Sequence, residues 1–326
     1  MTRPVTVVGA GIIGLWTTLV LQRTGYAVRL IDRCAVPFAQ TASRYAGAML
    51  APYCEADGSP PIVKDLGIEA LELWRRTYPG IVWNGTLVLA AARDRTELAR
   101  FARLTVGHHR GAVADLEPDL AGRFDTGLFF SGEGHLVPHD AMTFLLEEAR
   151  RLGAEAAFGE TWTAAGGGLV VDCRGIDARL DLKTLRGVRG ERLILRTREI
   201  ALHRTVRLLH PRHPLYIVPW GDGRFMIGAT VIESEETGPV SVRSALELLG
   251  MAYTLHPAFG EAEIVDLGVG VRPAFPDNVP KAVATGRHIH VNGAYRHGFL
   301  LAPVLAQAVA DYLTTGQART GVVELA

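Results

Sequence analysis

The feature that most constrains the fold of this chain is a glycine-rich turn between an apolar strand and a helix near its start. Gly9, Gly11 and Gly14 fit the pattern G-x-G-x-x-G, with an apolar run at 5–8 before them and a helix-forming run at 12–23 after them. In this context the first glycine permits a tight turn and the second lets the backbone approach a pyrophosphate. The third lets the helix pack closely on the strand. The segment therefore predicts a βαβ unit that binds a dinucleotide.

An acidic residue at the end of the second strand strengthens this prediction. Asp32 follows Gly14 by 18 residues, where its carboxylate can accept hydrogen bonds from an adenosine ribose. Ile12 and Ile13 begin the helix, whose free N–H groups and partial positive charge favour phosphate. Arg33 is expected to cover the adenine or to lie in solvent. By itself the site does not distinguish NAD from FAD.

The order of predicted elements indicates two domains. A chain of 326 residues exceeds what one hydrophobic core usually supports. Strand–helix alternation occupies both ends and an inner piece, whereas short strands separated by turns, typical of an antiparallel sheet, occupy the later middle. We therefore predict an α/β fold, with a Rossmann-like domain around a central parallel sheet and an antiparallel-sheet substrate domain. The predicted ranges are 1–50, 135–185 and 273–326 for the dinucleotide domain, and 51–134 and 186–272 for the substrate domain.

Composition argues against several classes of partner. Lys and Arg total 34, as do Asp and Glu, so we expect no basic face for nucleic acid. No apolar stretch of about 18 residues is unbroken, so we expect no membrane span. Cys34, Cys54 and Cys173 form no C-x-x-C pair, which favours a reducing cytoplasm. His288 and His290 alternate in a strand with no third ligand nearby, so we predict no metal site.

Five longer segments give the chain a resemblance to a known family. They are VVGAGIIGL at 7–15, YAGAMLAPYCE at 45–55, LYIVPWGDGRFMIGATVIES at 215–234, VGVRPAFPDNVP at 269–280 and VNGAYRHGFLLAPVLAQAVADYL at 291–313. The chain resembles the D-amino-acid oxidase superfamily, and within it glycine oxidases of the thiamine-biosynthesis type. The resemblance implies a fold of the glutathione-reductase/D-amino-acid-oxidase type with bound FAD. No cysteine lies near Arg272 or Arg296, where relatives of the sarcosine-oxidase branch attach FAD, so we expect non-covalent FAD.

The resemblance also assigns residues to FAD. The segment expected against the flavin phosphates and ring contains Ser43, Gly47, Ala48 and Met49. An inner strand is expected to contribute near Trp162 and Gly175. The loop expected to wrap the isoalloxazine ring contains Ala294, Tyr295, Arg296, His297, Gly298, Phe299 and Leu300. Pro303 is expected in the first turn of the closing helix, whose positive end would stabilise negative charge on the reduced flavin.

The implied chemistry is hydride transfer from the substrate Cα–H to flavin N5 while the substrate amine is neutral. Arg272 and Arg296 occupy the positions expected to hold the substrate carboxylate, which an arginine fork matches bidentately. Tyr216 occupies the position of an active-site tyrosine. Pro214 and Val231 replace a histidine and a methionine of some relatives, and we expect both to alter the shape of the pocket.

We therefore predict FAD-dependent oxidative deamination of glycine or another small amino acid with molecular oxygen as acceptor. The products would be an imino acid, then an oxo acid and ammonia, together with hydrogen peroxide. The resemblance further implies thiamine thiazole biosynthesis, a hand-off to thiazole synthase and a homo-oligomer. The alternatives are a D-amino-acid or secondary-amine dehydrogenase that passes electrons to a carrier, a non-catalytic flavin-fold binding protein, and an NAD-dependent dehydrogenase.

Overall fold

The structure is a computed structural model that describes residues 3–163, 168–212 and 214–325. In these residues the protein has a large, mainly parallel sheet, a large, mainly antiparallel sheet and seven α-helices. The strands are β1 (Arg3–Val8), β2 (Tyr26–Asp32), β3 (Met49–Leu50), β4 (Thr86–Ala90), β5 (His109–Ala112), β6 (Thr126–Phe130), β7 (Gly134–His135), β8 (Glu155–Phe158), β9 (Leu169–Asp172), β10 (Arg186–Arg196), β11 (Thr205–Leu209), β12 (Leu215–Pro219), β13 (Arg224–Gly228), β14 (Glu263–Ala274), β15 (Lys281–Thr285), β16 (His288–Asn292) and β17 (Val323–Leu325). The helices are α1 (Ile12–Arg23), α2 (Pro61–Thr77), α3 (Arg95–Leu104), α4 (Val113–Leu116), α5 (Pro138–Arg151), α6 (Val242–Leu255) and α7 (Gly298–Thr315).

The first sheet has seven strands in the order β17-β15-β16-β9-β1-β2-β8. Strands β16, β9, β1, β2 and β8 run parallel to one another, and β15 is antiparallel to β16. Helices α1, α2, α5 and α7 contribute their apolar faces to the same core as this sheet. The parallel sheet with packed helices confirms the predicted α/β class.

The second sheet has eight strands in the order β14-β10-β13-β12-β11-β4-β6-β5. All of its neighbours pair antiparallel except β4 and β11. Its longest pairing joins β10 to β14, and this register sets Val188 opposite Arg272 and Gly190 opposite Gly270. The antiparallel sheet agrees with the predicted fold class, whereas the residue ranges given above for two domains stay a prediction.

The closing helix begins earlier than its proline indicates. Helix α7 starts at Gly298, so Pro303 is its sixth residue and the prediction of a first-turn proline is wrong. Proline has no N–H to donate to the carbonyl four residues earlier. That carbonyl belongs to Phe299, and it accepts a hydrogen bond of 2.7 Å from the Trp74 indole N–H instead. A tertiary contact therefore satisfies the backbone group that the proline leaves free.

Replacing Trp74 with phenylalanine is expected to lower the free energy of unfolding by about 1–3 kcal/mol beyond the effect of the smaller ring, because a buried carbonyl loses its partner. Trp16→Phe is the matched control: Trp16 is also buried, but its indole N–H has no hydrogen-bond partner in the described part of the chain. Urea unfolding of both variants measures the difference. Equal losses of stability would contradict the role of the Trp74 hydrogen bond.

Helix α7 is also the one described helix long and apolar enough to cross a membrane by length and composition alone. In this fold 61% of its 18-residue window is buried. It packs against α1 and α2, and its residues belong to the large core that surrounds the parallel sheet. The apolar character of the helix is therefore accounted for by its packing in this hydrophobic core.

Candidate active site

A cavity of about 870 Å³ is lined by residues of both large sheets. It begins at the carboxyl ends of β1, β2 and β9, where open parallel sheets bind their ligands, and it reaches the faces of β10, β12, β13 and β14. Its volume is in the range of small-molecule and cofactor sites. The residues predicted for cofactor or substrate all line this cavity, except Gly14.

The glycine turn is crowded at Gly9 and Gly14, the first and third glycines of the G-x-G-x-x-G pattern. Gly9 has φ of 98°, and a Cβ there would lie 2.7 Å from the Cys173 carbonyl oxygen. A Cβ on Gly14 would lie 1.8 Å from the Gly9 carbonyl oxygen. Gly14 therefore permits helix α1 to pack on the turn, as predicted, while Gly9 and Gly11 face the cavity.

The start of α1 is suited to a phosphate. Its first turn carries no acidic side chain, and its N-cap, Gly11, has no side chain to occupy the free N–H groups. The Ser43 hydroxyl accepts the Ile12 N–H at 3.1 Å and so stands at the mouth of the turn. These features match the predicted pyrophosphate site.

Asp32 holds the backbone in place at this end of the cavity. Its carboxylate accepts backbone N–H groups from Ala10 at 2.7 Å and Cys34 at 2.8 Å, which holds the glycine turn against the end of β2. Asp32 also lines the cavity at the position expected for the ribose. Arg33 forms an exposed ion pair of 2.9 Å with Asp177 at the cavity rim.

The opposite end of the cavity is formed by two tight backbone segments. Gly47 leaves room for Met226, whose methyl carbon would lie 2.2 Å from a Cβ at that position. Ala48 and Tyr295 have positive φ values of 51° and 48°. The Tyr295 N–H donates to the Pro273 carbonyl at 2.9 Å, which ties the loop before α7 to the end of β14. Met49 and residues 294–300 thus line the same part of the cavity, where the flavin is expected; residues 298–300, predicted as loop, form the first turn of α7.

Trp162 and Gly175 also line the cavity. The Trp162 ring lies 5.5 Å from the Arg174 guanidinium and meets His288 edge-on at 5.4 Å. Gly175 has φ of 61°, and its carbonyl accepts the Asn292 side-chain amide at 2.8 Å. Both residues therefore help to fix the segment after β9 beside the glycine turn.

The expectation that His288 and His290 have no third ligand is wrong. Parallel pairing of β9 with β16 places Asp172 opposite His290, and possible ligand atoms of all three residues lie within 4.8 Å of one another. The Asp172 carboxylate is already bound through both oxygens by the Arg174 side chain. A cation at this cluster would therefore have to compete with a guanidinium.

Arg272 lies on β14 with its guanidinium against the cavity wall. It donates to the Thr230 carbonyl at 3.1 Å, and within the described ranges no carboxylate forms an ion pair with it. Burial, with a further contribution from neighbouring Arg296, lowers the pKa of Arg272 to about 10, which still leaves it charged at neutral pH. A Cβ on Gly190 would lie 2.0 Å from this guanidinium, so the glycine in β10 makes room for it.

Arg296, unlike Arg272, already has a carboxylate partner. Its guanidinium lies 3.2 Å from Glu55, and this neighbour raises the pKa of Arg296 above its usual value. The buried Tyr216 hydroxyl donates to the same carboxylate at 2.6 Å. Although burial favours the neutral acid, the charge of Arg296 and the other neighbouring positive groups, together with the Tyr216 hydrogen bond, outweigh it and lower the pKa of Glu55 to about 2. The three side chains form a single ionised, hydrogen-bonded group at the cavity wall.

His297 belongs to the same group. It is the N-cap of α7, its Nε2 lies 3.0 Å from the Ser59 hydroxyl, and its Nδ1 lies 3.8 Å from Glu55. Burial lowers the pKa of His297 to about 4, so the ring is neutral at pH 7. Neutral His297 can take part in hydrogen bonding without adding charge to the site.

Two positions expected to alter the pocket do not line it. Pro214 and Val231 are both exposed, and neither is among the described residues that surround the cavity. Glu55, Gly190 and Met226 line it instead. Glu55 is the last residue of the segment 45–55 that carries the family resemblance. A carboxylate directly after this apolar run could have identified it as a candidate site residue.

Glu133 lies behind this site as a fully buried acid. Its Oε1 accepts the Cys54 N–H at 2.7 Å, and its Oε2 has no partner in the part of the chain described. Burial raises the pKa of Glu133 from 4.5 to about 8. The folded protein therefore binds a proton between these pH values that the unfolded chain releases.

The contribution of Glu133 to the free energy of unfolding is therefore expected to decrease as pH rises from 5 to 8, because the contribution of the protonated acid is complete below its unfolded pKa and lost above its folded pKa. The loss is on the order of 3 kcal/mol. Glu133→Gln, which mimics the protonated acid, should lack this pH dependence, so its stability relative to the wild type should rise with pH and it should be the more stable protein at pH 8.5. Denaturant unfolding at several pH values measures it, and parallel profiles for the two proteins would contradict the assignment.

The residues that line the cavity are those expected around an FAD molecule. Asp32 lines it where the ribose is expected, the glycine turn and Ser43 where the pyrophosphate is expected, and the segments around Gly47 and Tyr295 where the flavin ring is expected. A nicotinamide dinucleotide would leave the far loop before α7 without a ligand to enclose. The residues present therefore favour the flavin cofactor.

Comparison with known proteins agrees with the assignment of a flavin cofactor. The family described as FAD dependent oxidoreductase (DAO) matches residues 4–312. A Rhizobium etli protein, named provisionally as the thiamine biosynthesis oxidoreductase ThiO, is 50% identical over 316 residues, which cover 95% of this chain and 96% of that protein. The bifunctional protein ThiO/ThiG of Synechocystis is 28% identical over 96% of this chain and 52% of its own length.

A solved structure supports the same assignment. The crystal structure of glycine oxidase from Geobacillus kaustophilus is similar with a TM-score of 0.81 and 25% identity, covering 98% of this chain and 96% of that one. Both the family match and the shared fold extend over nearly the whole sequence. The chain therefore belongs to the DAO family of FAD-dependent oxidoreductases, and its cofactor is FAD.

Proposed function

We propose that this protein oxidises glycine or another small amino acid at its amine-bearing carbon, with molecular oxygen as electron acceptor. The observation that carries the proposal is Arg272, a charged guanidinium at the cavity wall with no ion-pair partner among the described residues. A buried cation without a counter-ion is costly, and a bound carboxylate removes that cost. Similarity to glycine oxidase and to ThiO supports the choice of a small amino acid.

The side chains around Arg272 would orient the substrate. Arg272 would hold the carboxylate through its planar fork, which fixes both the position and the direction of the substrate. Tyr216, held by Glu55 at 2.6 Å, presents a hydroxyl whose orientation is already set. Bound FAD supplies hydride acceptance, so the protein has to position the Cα–H and keep water out rather than provide a nucleophile.

Acid–base chemistry places few demands on these residues. Glu55 stays ionised at working pH because its pKa is about 2, and His297 stays neutral because its pKa is about 4. Neither group changes charge near pH 7. We infer that the substrate amine loses its proton to solvent on binding, and that the site accepts the neutral amine.

The wider role follows from the relatives. We include in the proposal a function in thiamine thiazole biosynthesis, with hand-off of the imino acid to thiazole synthase, and the name ThiO/ThiG of a related bifunctional protein supports it. A cytoplasmic location is also proposed, supported by three cysteines that form no disulfide. Assembly into a homo-oligomer remains part of the prediction.

The test is peroxide release by the purified protein with glycine, sarcosine, D-alanine and D-proline. Stoichiometric peroxide with glycine supports the oxidase. Substrate-dependent reduction of an artificial electron acceptor without peroxide would favour the dehydrogenase on the same fold. A flavin that none of the four compounds reduces would favour the non-catalytic binding protein.

FAD is expected to be held without a covalent bond. Cys54 does not line the cavity. Cys34 and Cys173 line it at the end expected for the adenosine and the pyrophosphate, not at the end expected for the flavin ring. Burial also raises the pKa of the Cys173 thiol, which keeps it unreactive. Acid precipitation should therefore release all the yellow colour into the supernatant. Colour that stays with the precipitated chain would contradict this expectation.

A further inference from the structure

The positive and negative charges around the proposed substrate site do not balance. Two guanidinium groups, Arg272 and Arg296, and one carboxylate, Glu55, line it. Glu55 is paired with Arg296 at 3.2 Å and fixed by the Tyr216 hydroxyl at 2.6 Å. Arg272 bonds only to the Thr230 carbonyl among the described residues. The group therefore carries one net positive charge before a substrate binds.

Neighbouring ionisable groups do not change this sum. Arg207, under the Tyr216 ring, is paired with Asp57 at 3.6 Å and donates to the Cys54 carbonyl at 2.8 Å. His297 is neutral because burial lowers its pKa to about 4. Glu133 does not line the cavity, and at pH 7 it is largely protonated because burial raises its pKa to about 8. The net charge of one therefore holds at neutral pH.

A single carboxylate matches this charge. An amino acid that binds with a neutral amine and one carboxylate brings one negative charge to Arg272. A second carboxylate would enter a partly buried site whose other guanidinium is already neutralised, and a buried charge without a partner is strongly disfavoured. We propose that Glu55 is a specificity-determining residue, which restricts the site to amino acids with one carboxylate by occupying Arg296.

This inference rests on the proposed function, because it assumes that the substrate carboxylate binds at Arg272. It predicts a specific consequence of removing the Glu55 charge. In Glu55→Gln the amide oxygen can still accept from Tyr216, but Arg296 loses its counter-ion and becomes available to a second carboxylate. A purely structural role for Glu55 would instead change the binding of all ligands in proportion.

The experiment uses two ligands that contain no amine and therefore are not oxidised as amino acids: methoxyacetate, with one carboxylate, and diglycolate, with two. Binding to the FAD-loaded protein is followed by the change in the visible flavin spectrum. The wild type should prefer methoxyacetate. Glu55→Gln should shift the ratio of the two dissociation constants towards diglycolate by about tenfold or more, the size expected for a charge-assisted contact. The double variant Glu55→Gln/Arg296→Gln restores one net positive charge, and its ratio should return towards that of the wild type.

Each outcome decides a different point. An FAD-loaded Glu55→Gln protein with an unchanged ratio would overturn the role of Glu55 while leaving the proposed function intact. If this variant does not retain FAD, Arg296→Gln replaces it. That variant leaves Glu55 uncompensated, so the ratio must move against diglycolate, and movement in the other direction would overturn the inference. A wild-type protein whose spectrum responds neither to these ligands nor to glycine would refute the proposed function and this inference together.

Discussion

Arg272→Met is expected to weaken substrate binding by about 2–5 kcal/mol, the usual effect of removing one member of a buried, hydrogen-bonded charge pair. The methionine keeps much of the volume but cannot bind a carboxylate. Because the wild-type guanidinium has no ion-pair partner in the described residues, its removal should not leave a protein carboxylate unpaired. FAD content and folding should therefore remain close to those of the wild type. Steady-state kinetics and anaerobic titration of the flavin spectrum measure the loss.

Two further variants make this prediction specific. Arg196→Gln removes an exposed arginine from β10, which is paired with Glu263 of β14 outside the cavity, and it should leave KM unchanged. Gly190→Ala should raise KM with FAD retained, since its Cβ would meet the Arg272 guanidinium. An Arg272→Met enzyme with unchanged KM for glycine would show that the carboxylate binds elsewhere.

Gly14→Ala is expected to abolish tight FAD binding. The added Cβ would lie 1.8 Å from the Gly9 carbonyl oxygen, which is backbone and cannot rotate away. Helix α1 would have to move from the turn, and the N–H groups at its start would leave the pyrophosphate site. Such overpacking typically costs about 1–3 kcal/mol of stability, and more where backbone must shift.

The matched control is Gly250→Ala, since Gly250 also lies within a helix but a Cβ there meets nothing within 4 Å. This substitution should stabilise the protein by about 0.5–1 kcal/mol, because alanine favours the helix over glycine. The ratio of FAD to protein after purification and the affinity for added FAD measure both effects. A Gly14→Ala protein that binds FAD like the wild type would contradict the assigned packing role.

Features set by short-range sequence were predictable. The βαβ start could be placed because its strand, glycine turn and helix are local, and α1 was predicted with its observed bounds. Two strands of the seven-stranded sheet, β8 and β15, were not predicted, because both are short and two residues of each are alanine, which is depleted in strands. Their strand conformation depends on neighbours in the sheet.

The parts of the site that sequence did not reveal depend on distant contacts. Glu55 meets Arg296 across 241 residues, and Asp172 meets His290 only because β9 pairs with β16. Helix α7 includes residues before Pro303, where the Trp74 indole N–H satisfies the Phe299 carbonyl that the proline leaves without a backbone donor. In each case the deciding partner comes from another element, which spacing along the chain does not specify.

The most direct test of the proposed activity is anaerobic mixing of the FAD-loaded protein with glycine while its visible spectrum is recorded. Without oxygen the electrons remain on the flavin, so this measurement separates substrate oxidation from the choice of acceptor. We predict bleaching of the yellow colour by glycine, its return when oxygen is admitted, and loss of bleaching at the same glycine concentration in Arg272→Met. A yellow protein that glycine, sarcosine, D-alanine and D-proline all leave unbleached would contradict the proposal that this site oxidises a small amino acid.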